Sequence, residues 1–154
     1  MNELLRHTLA TVAYRAGKAL AGAPPEFAAF RLDETSRAPV EILAHMGDLF
    51  DWALSIANGH ERWHNSTPLP WGAEVARFFA ALEAFDARLA QPEAPAAPAE
   101  RLFQGPIADA LTHVGQLAML RRVAGCRIGG ENYFVAAIAL GRVGPEQAKP
   151  MVEF

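Results

Sequence analysis

The chain has 154 residues, of which 51% are hydrophobic and 20% are charged, and it carries a net charge of −3. This length suits one domain with a buried core, so we expect a single domain over residues 1–154. The acidic balance argues against nucleic-acid binding, because neutralising phosphates requires a basic patch. No run of ~18 apolar residues is present, so we expect no membrane-spanning helix. The single cysteine, Cys126, excludes an intrachain disulfide and is compatible with the cytoplasmic location that we expect.

Four stretches of the chain carry apolar residues at helical spacing. They predict helices over residues 2–21, 39–58, 71–89 and 107–124. Gly22 and the Pro24-Pro25 pair end the first helix, because proline cannot continue the hydrogen-bond ladder and disfavours helix before itself. Asn58-Gly59 and Gly125 end the second and fourth helices, where a left-handed residue commonly closes the last turn.

The segments between the predicted helices are long. Residues 26–38 form a connection in which Phe27 and Phe30 are expected to anchor the chain on the core. Residues 60–70 are predicted to be a loop or a frayed last turn of the second helix. The Gln91–Ala99 segment contains three prolines and is predicted to be an extended connector. Its length favours a crossover that spans the bundle over a tight helical hairpin.

The tail, residues 126–154, is expected to pack on the bundle as a C-terminal extension. Its Tyr133–Leu140 stretch is apolar enough for a short helix or strand. The preceding Glu131–Phe134 run either packs on the bundle or folds back over its open end. Because no stretch alternates convincingly between polar and apolar residues, the fold class is all-α, a four-helix bundle with a long crossover connection.

A candidate metal site begins with two residues of the fourth helix. Asp109 and His113 are four residues apart, so they lie one turn apart on the same face. A carboxylate and an imidazole in this arrangement can reach one metal ion, which needs at least a third ligand to be held firmly. Gln116, one turn further on, is expected to hydrogen-bond across the bundle or to a metal-bound water. Gly115 is expected to permit close helix contact.

The second helix offers that third ligand. Glu41, His45, Asp48 and Trp52 follow one another at spacings of 4, 3 and 4, which places all four on one stripe. Taken alone, each histidine is better explained as a core imidazole satisfied by a carbonyl group. Two helices that each carry an inward-facing histidine beside an acidic residue instead favour a metal site between facing helices.

The predicted ligands are therefore His45, Asp109 and His113. Two imidazoles and one carboxylate favour zinc or nickel, are compatible with iron or manganese, and leave positions open for water or substrate. Asp48 would orient an imidazole from the second shell. Trp52 would line the mouth of the pocket, and Glu41 lies on the same stripe near the start of its helix.

The segments His45-Met-Gly-Asp-Leu-Phe-Asp-Trp52 and His113-Val-Gly-Gln-Leu-Ala-Met-Leu-Arg-Arg122 together resemble the DinB/YfiT-like superfamily. The resemblance covers roughly residues 1–125. It implies a four-helix bundle with a long crossover, in which a histidine of the second helix and an i, i+4 pair of a later helix hold a divalent metal. The first residue of that pair is histidine in many family members and glutamate in some, whereas this chain has Asp109.

A second motif, His60-Glu-Arg-Trp-His64, satisfies the H-E-x-x-H pattern of zinc proteases. That chemistry requires both histidines on one uninterrupted helix. Here Asn58-Gly59 precedes the motif and Asn65-Ser-Thr-Pro68 follows it, so a helix of the required length is not expected. We interpret His60 and His64 as solvated loop residues.

The resemblance implies a metal-dependent enzyme that acts on a small molecule, with transferase or isomerase chemistry and often a low-molecular-weight thiol as co-substrate; hydrolase chemistry stays open. A metal at the predicted site would lower the pKa of a bound thiol or water. The alternative is a non-catalytic binding or stress-associated bundle with a structural or vestigial metal site. In either case we expect a homodimer, because small bundles often pair to bury apolar helix faces.

Overall fold

A computed structural model describes residues 2–154. Its four main helices are α1 (Glu3–Leu20), α2 (Pro39–Ala57), α3 (Trp71–Leu89) and α4, whose three consecutive segments are Ala99–Leu102, a π-helical turn at Phe103–Ile107, and Ala108–Val123. Two single 3-10 turns, Pro25–Ala29 and Tyr133–Val135, lie in the connections. Residues 2–154 form no strand beyond an isolated antiparallel bridge between Glu131 and Glu153. The prediction of an all-helical fold with four main helices is therefore confirmed.

The helix ends follow the signals in the sequence. Pro39 occupies the first turn of α2, where its missing N–H removes no helical hydrogen bond. The Glu41 carboxylate accepts the backbone N–H of Ala38 at 2.7 Å and so caps the same turn. Gly59 and Gly125 follow α2 and α4 with φ values of 81° and 78°, a left-handed conformation that other residues rarely adopt.

The four helices enclose one core. Helices α1 and α2 each pack against both α3 and α4, so α1 and α2 lie across the bundle from each other. The connections after α1 and after α3 both join helices on opposite sides, whereas the sequence suggested such a crossover only after the third helix. The largest fully buried side chains of the core are Phe27, Phe50, Phe78, Phe85, Leu9, Leu43, Met46, Leu82, Leu102, Ile107 and Leu117.

The fourth helix differs from its prediction, because it begins at Ala99 and not near residue 107. Pro106 lies inside it, within the π-helical turn. In a regular α-helix the ring of Pro106 would clash with the carbonyl of Leu102 and one hydrogen bond would be missing. The wider π turn accommodates both effects, so the helix continues through the proline and ends at Val123.

The tail packs along α1. The buried Glu131 carboxylate accepts a hydrogen bond from the hydroxyl of Tyr14 and pairs with Lys18 at 2.9 Å. The guanidinium of Arg15 lies 4.1 Å from the centre of the Tyr133 ring. Phe134 in contrast is 96% exposed, so the Glu131–Phe134 run is attached to the side of α1 through its first residues.

Candidate metal centre

His45 on α2 and the Asp109–His113 pair on α4 meet at one point of the bundle surface. The Nε2 atoms of His45 and His113 lie 3.4 Å from Oδ2 and Oδ1 of Asp109, respectively. The two imidazole rings stand edge to face with centroids 4.8 Å apart. One potential ligand atom of each residue lies within 4.8 Å of the other two. The structure thus brings together the three predicted ligands in a group that can hold a metal ion.

The spacing of these donors fits a small divalent ion. Two ligands at about 2.0–2.1 Å from a tetrahedral zinc ion are about 3.4 Å apart, and each imidazole lies at this separation from one oxygen of Asp109, His45 from Oδ2 and His113 from Oδ1. The shorter side chain of aspartate therefore reaches both histidines. The side chain of Asp109 is 47% exposed, so the fourth side of the group is open to solvent.

Gln116 fixes the orientation of His113. Its side-chain oxygen Oε1 lies 2.7 Å from Nδ1 of His113. Because an amide oxygen only accepts hydrogen bonds, this contact places the imidazole proton on Nδ1. The lone pair of Nε2 then faces Asp109 and His45, as a metal ligand requires. The partner of Gln116 is therefore His113 of the same helix, whereas the sequence suggested a partner across the bundle or a metal-bound water.

The surroundings of His45 favour its neutral form. Burial lowers the pKa of His45, and the neighbouring His113 and Arg37 lower this pKa further, against the opposing effect of Asp109. A neutral imidazole keeps the lone pair that metal binding uses. The ring of Trp63 stands edge to face against His45, with centroids 5.6 Å apart, and covers part of the imidazole.

Trp63 belongs to the loop of residues 58–70, which lies over the exposed side of α2. Its ring also contacts Trp52 edge to face at 5.8 Å. The indole N–H of Trp52 donates to Glu61 of the same loop at 3.0 Å. Trp52 therefore supports Trp63, and Trp63 in turn covers His45. The role of Trp63 was missed because residues 58–70 show no periodicity that predicts which side chain faces the bundle.

Asp48 holds the other end of this loop. It accepts hydrogen bonds from the backbone N–H and the hydroxyl of Ser66 at 2.9 and 2.6 Å. Its Oδ1 atom also lies 3.1 Å from Nε2 of His64 and 3.1 Å from the guanidinium of Arg77. Asp48 lines a small cleft with His45, but the hydrogen bonds recorded for residues 2–154 include none between the two. The imidazole that Asp48 orients is that of His64.

The H-E-x-x-H residues accordingly form no protease site. Residues 60–64 are not helical, as expected from the flanking turn residues. Glu61 accepts a hydrogen bond from Trp52, and His64 pairs with Asp48 and, at 3.5 Å, with Asp51. His60 is an exposed loop residue as predicted, whereas half-exposed His64 is tied to α2.

Asp48, Asp51 and His64 form a second group whose ligand atoms are close enough to hold a metal. Arg77 already offsets part of the negative charge of this group, since it lies 3.1 Å from Asp48 and 3.3 Å from Asp51. A divalent cation at this group would have to approach the guanidinium or displace it. No cation of the protein contacts the first group in this way among the ion pairs of residues 2–154. The first group is therefore the better candidate for a metal.

Glu41 takes part in the helix start rather than in the metal group. One carboxylate oxygen caps the Ala38 N–H, and the other accepts the guanidinium of Arg31 at 2.9 Å. These hydrogen bonds lower the pKa of Glu41. Each of its two carboxylate oxygens thus has a partner outside the metal group.

A cleft of about 680 Å³ adjoins the metal group on the side of His113. A smaller one of about 220 Å³ adjoins it on the side of His45. Arg37 lines both clefts. The larger volume is that of a pocket for a small organic molecule.

Comparison with known proteins adds no relative to this picture: no protein-family model, curated protein or solved structure matches the chain. None of the helices formed by residues 2–154 combines the length and apolar character that a bilayer crossing needs.

Proposed function

We propose that this protein is a divalent-metal-dependent enzyme of the DinB/YfiT-like type that acts on a small molecule. The observation that carries the proposal is the meeting of His45, Asp109 and His113 beside a cleft, with one side open to solvent. Structural zinc sites are closed by four protein ligands, whereas catalytic sites commonly use three and keep a position free. The resemblance of the two histidine-containing segments to the superfamily points in the same direction.

A zinc or nickel ion in this group would lower the pKa of a thiol or water molecule and so supply a nucleophile at neutral pH. The residues around the group have separate tasks. Gln116 holds the proton of His113 on Nδ1, so that the other nitrogen is available. Trp63 shields one face of His45 from water. The exposed carboxylate of Asp109 leaves an approach for a substrate.

A low-molecular-weight thiol is the co-substrate that the family resemblance suggests, with transfer or isomerisation of a small electrophile as the reaction. The open side of the group leaves room for such a thiol beside the larger cleft. A non-catalytic bundle with a structural metal is the competing function. It predicts an ion that raises stability and binds no further ligand.

Metal analysis of the purified protein tests the proposal. After loading with zinc or nickel and removal of loose ions, we expect about one ion per chain in the wild type. The His45→Ala and His113→Ala variants should lose it, because two protein ligands hold an ion too weakly. His60→Ala is the matched control and should keep it, since His60 is an exposed loop residue.

Equal and low metal contents in the wild type and in His113→Ala would remove the basis of the proposal. Loss of the ion in His64→Ala together with retention in His45→Ala would assign it to the second group. Calorimetric titration of cysteine into zinc-loaded and chelator-treated protein separates enzyme from structural site. If the metal is only structural, cysteine should bind to both samples with the same affinity.

A further inference from the structure

The larger cleft beside His113 has walls of mainly apolar character. Leu32, Ile42, Met119 and Leu120 supply most of this surface. A volume of about 680 Å³ accommodates a molecule of roughly drug or metabolite size. The apolar walls favour a ligand whose body is hydrocarbon or aromatic.

The lining of this cleft, all of it within residues 2–154, carries a positively charged side chain, that of Arg37, and no negatively charged one. No ion pair is recorded for Arg37 among the described residues. Arg31, six positions earlier, is neutralised by Glu41. Although the protein has a net charge of −3, it presents at this cleft a positive charge that no carboxylate of the described residues contacts directly.

The two carboxylates that share the smaller cleft with Arg37 are hydrogen-bonded to other partners. Glu41 and Asp48 line the smaller cleft together with Arg37. Glu41 is bound by Arg31 and by the Ala38 N–H, and Asp48 by Ser66, His64 and Arg77. The Arg37 guanidinium thus keeps its donors for a ligand.

We propose that the larger cleft binds a small carboxylic acid with an apolar body, whose carboxylate pairs with Arg37 while its other end lies beside His113. A guanidinium forms two parallel hydrogen bonds with a carboxylate, a geometry that it also offers to a phosphate. One cation balances one carboxylate, whereas a phosphate dianion would need a second cation that this cleft does not supply. The orientation of the reacting end rests on the proposed function; the carboxylate subsite does not.

The test compares 4-phenylbutyrate with its neutral amide, 4-phenylbutanamide, as calorimetric titrants. We expect the wild type to bind the acid about ten-fold more tightly than the amide, the ratio that one charge-assisted hydrogen-bonded pair supplies. Arg37→Gln should remove this preference and leave amide binding unchanged. Arg122→Gln is the matched control, because it removes the same charge from an exposed position outside the cleft.

Met119→Asp places a carboxylate on the apolar cleft wall and should weaken binding of the acid more than binding of the amide. Equal affinities for acid and amide in the wild type, or an unchanged preference in Arg37→Gln, would overturn the proposal. The titrations are performed with zinc-loaded and with chelator-treated protein. A preference that depends on Arg37 in chelated protein supports the subsite even if no metal binds. If protein that binds zinc shows no Arg37-dependent preference for the acid, the carboxylate subsite is refuted, while the metal site remains supported.

Discussion

The substitution Gly47→Ala tests how α2 and α3 hold the loop beside the metal group. A Cβ at position 47 would lie 2.8 Å from Cζ of Arg77, because the guanidinium lies flat on the glycine. That guanidinium donates to Glu74 at 2.5 Å and to the carbonyl of Ala44 at 2.6 Å, and it pairs with Asp48 at 3.1 Å. The new methyl group must move Arg77 away from these partners.

The expected loss of stability follows from what Arg77 leaves behind. Glu74 is fully buried, and its remaining recorded partner is the backbone N–H of Leu69 at 2.7 Å. Breaking a buried ion pair costs about 3–5 kcal/mol, because the remaining charge stays desolvated. Alanine gains about 1 kcal/mol over glycine inside a helix. Gly47→Ala should therefore destabilise the protein by about 2–4 kcal/mol.

Urea unfolding followed by circular dichroism measures this difference. Gly115→Ala is the control, because a Cβ at position 115 of α4 meets nothing within 4 Å. This variant should gain about 1 kcal/mol from helix propensity alone. The finding also corrects the expectation that Gly115 permits close helix contact; Gly47 has that role, with the Arg77 side chain. In an Arg77→Met background, Gly47→Ala should become neutral or stabilising. A Gly47→Ala protein as stable as Gly115→Ala would refute the reasoning.

Two further substitutions examine the surroundings of the metal group. Gln116→Leu removes the acceptor that fixes the His113 proton on Nδ1, so the zinc dissociation constant from competition with a chelating dye should rise about 10- to 100-fold; an unchanged constant would show that the contact is not needed. Trp63 lies against His45, so nickel loading should quench its fluorescence, and Trp63→Phe should lose most of the quenching that Trp71→Phe retains. The same loss in Trp71→Phe, whose ring packs on the remote Phe27, would contradict this placement.

The helices were predictable because their signals are local. Apolar spacing and the turn residues placed α1, α2 and α3 within about one residue of their observed ends, and α3 without any difference. The start of α4 was not predictable in this way. Pro106 ordinarily ends a helix, and only the π-helical turn, which depends on packing of the neighbouring Leu102 and Ile107 in the core, allows the helix to continue.

The residues of the candidate site were likewise predictable on the helices and unpredictable in the loop. His45, Asp109 and His113 lie on regular helices, so their faces follow from helical geometry once the bundle is assumed. The partners of Asp48 could not be derived, because Ser66 and His64 come from an irregular loop whose path is set by long-range contacts. Helical spacing places Asp48 on the same stripe as His45, but it does not predict which neighbouring side chain forms a hydrogen bond with Asp48.

Arg77 illustrates why a cluster of histidine and aspartate side chains does not by itself define a metal site. The two groups of this protein have similar composition, since each combines histidine with aspartate and each is compact enough for one ion. They differ in the cation already present: Arg77 pairs with Asp48 and Asp51, whereas none is recorded beside Asp109. Burial raises the pKa of Asp51 despite the opposing effect of Arg77, so desolvation dominates at its carboxylate. The arginine makes Asp48 and Asp51 a structural anchor for the loop that carries Trp63, and it leaves His45, Asp109 and His113 as the group with charge and space for an ion.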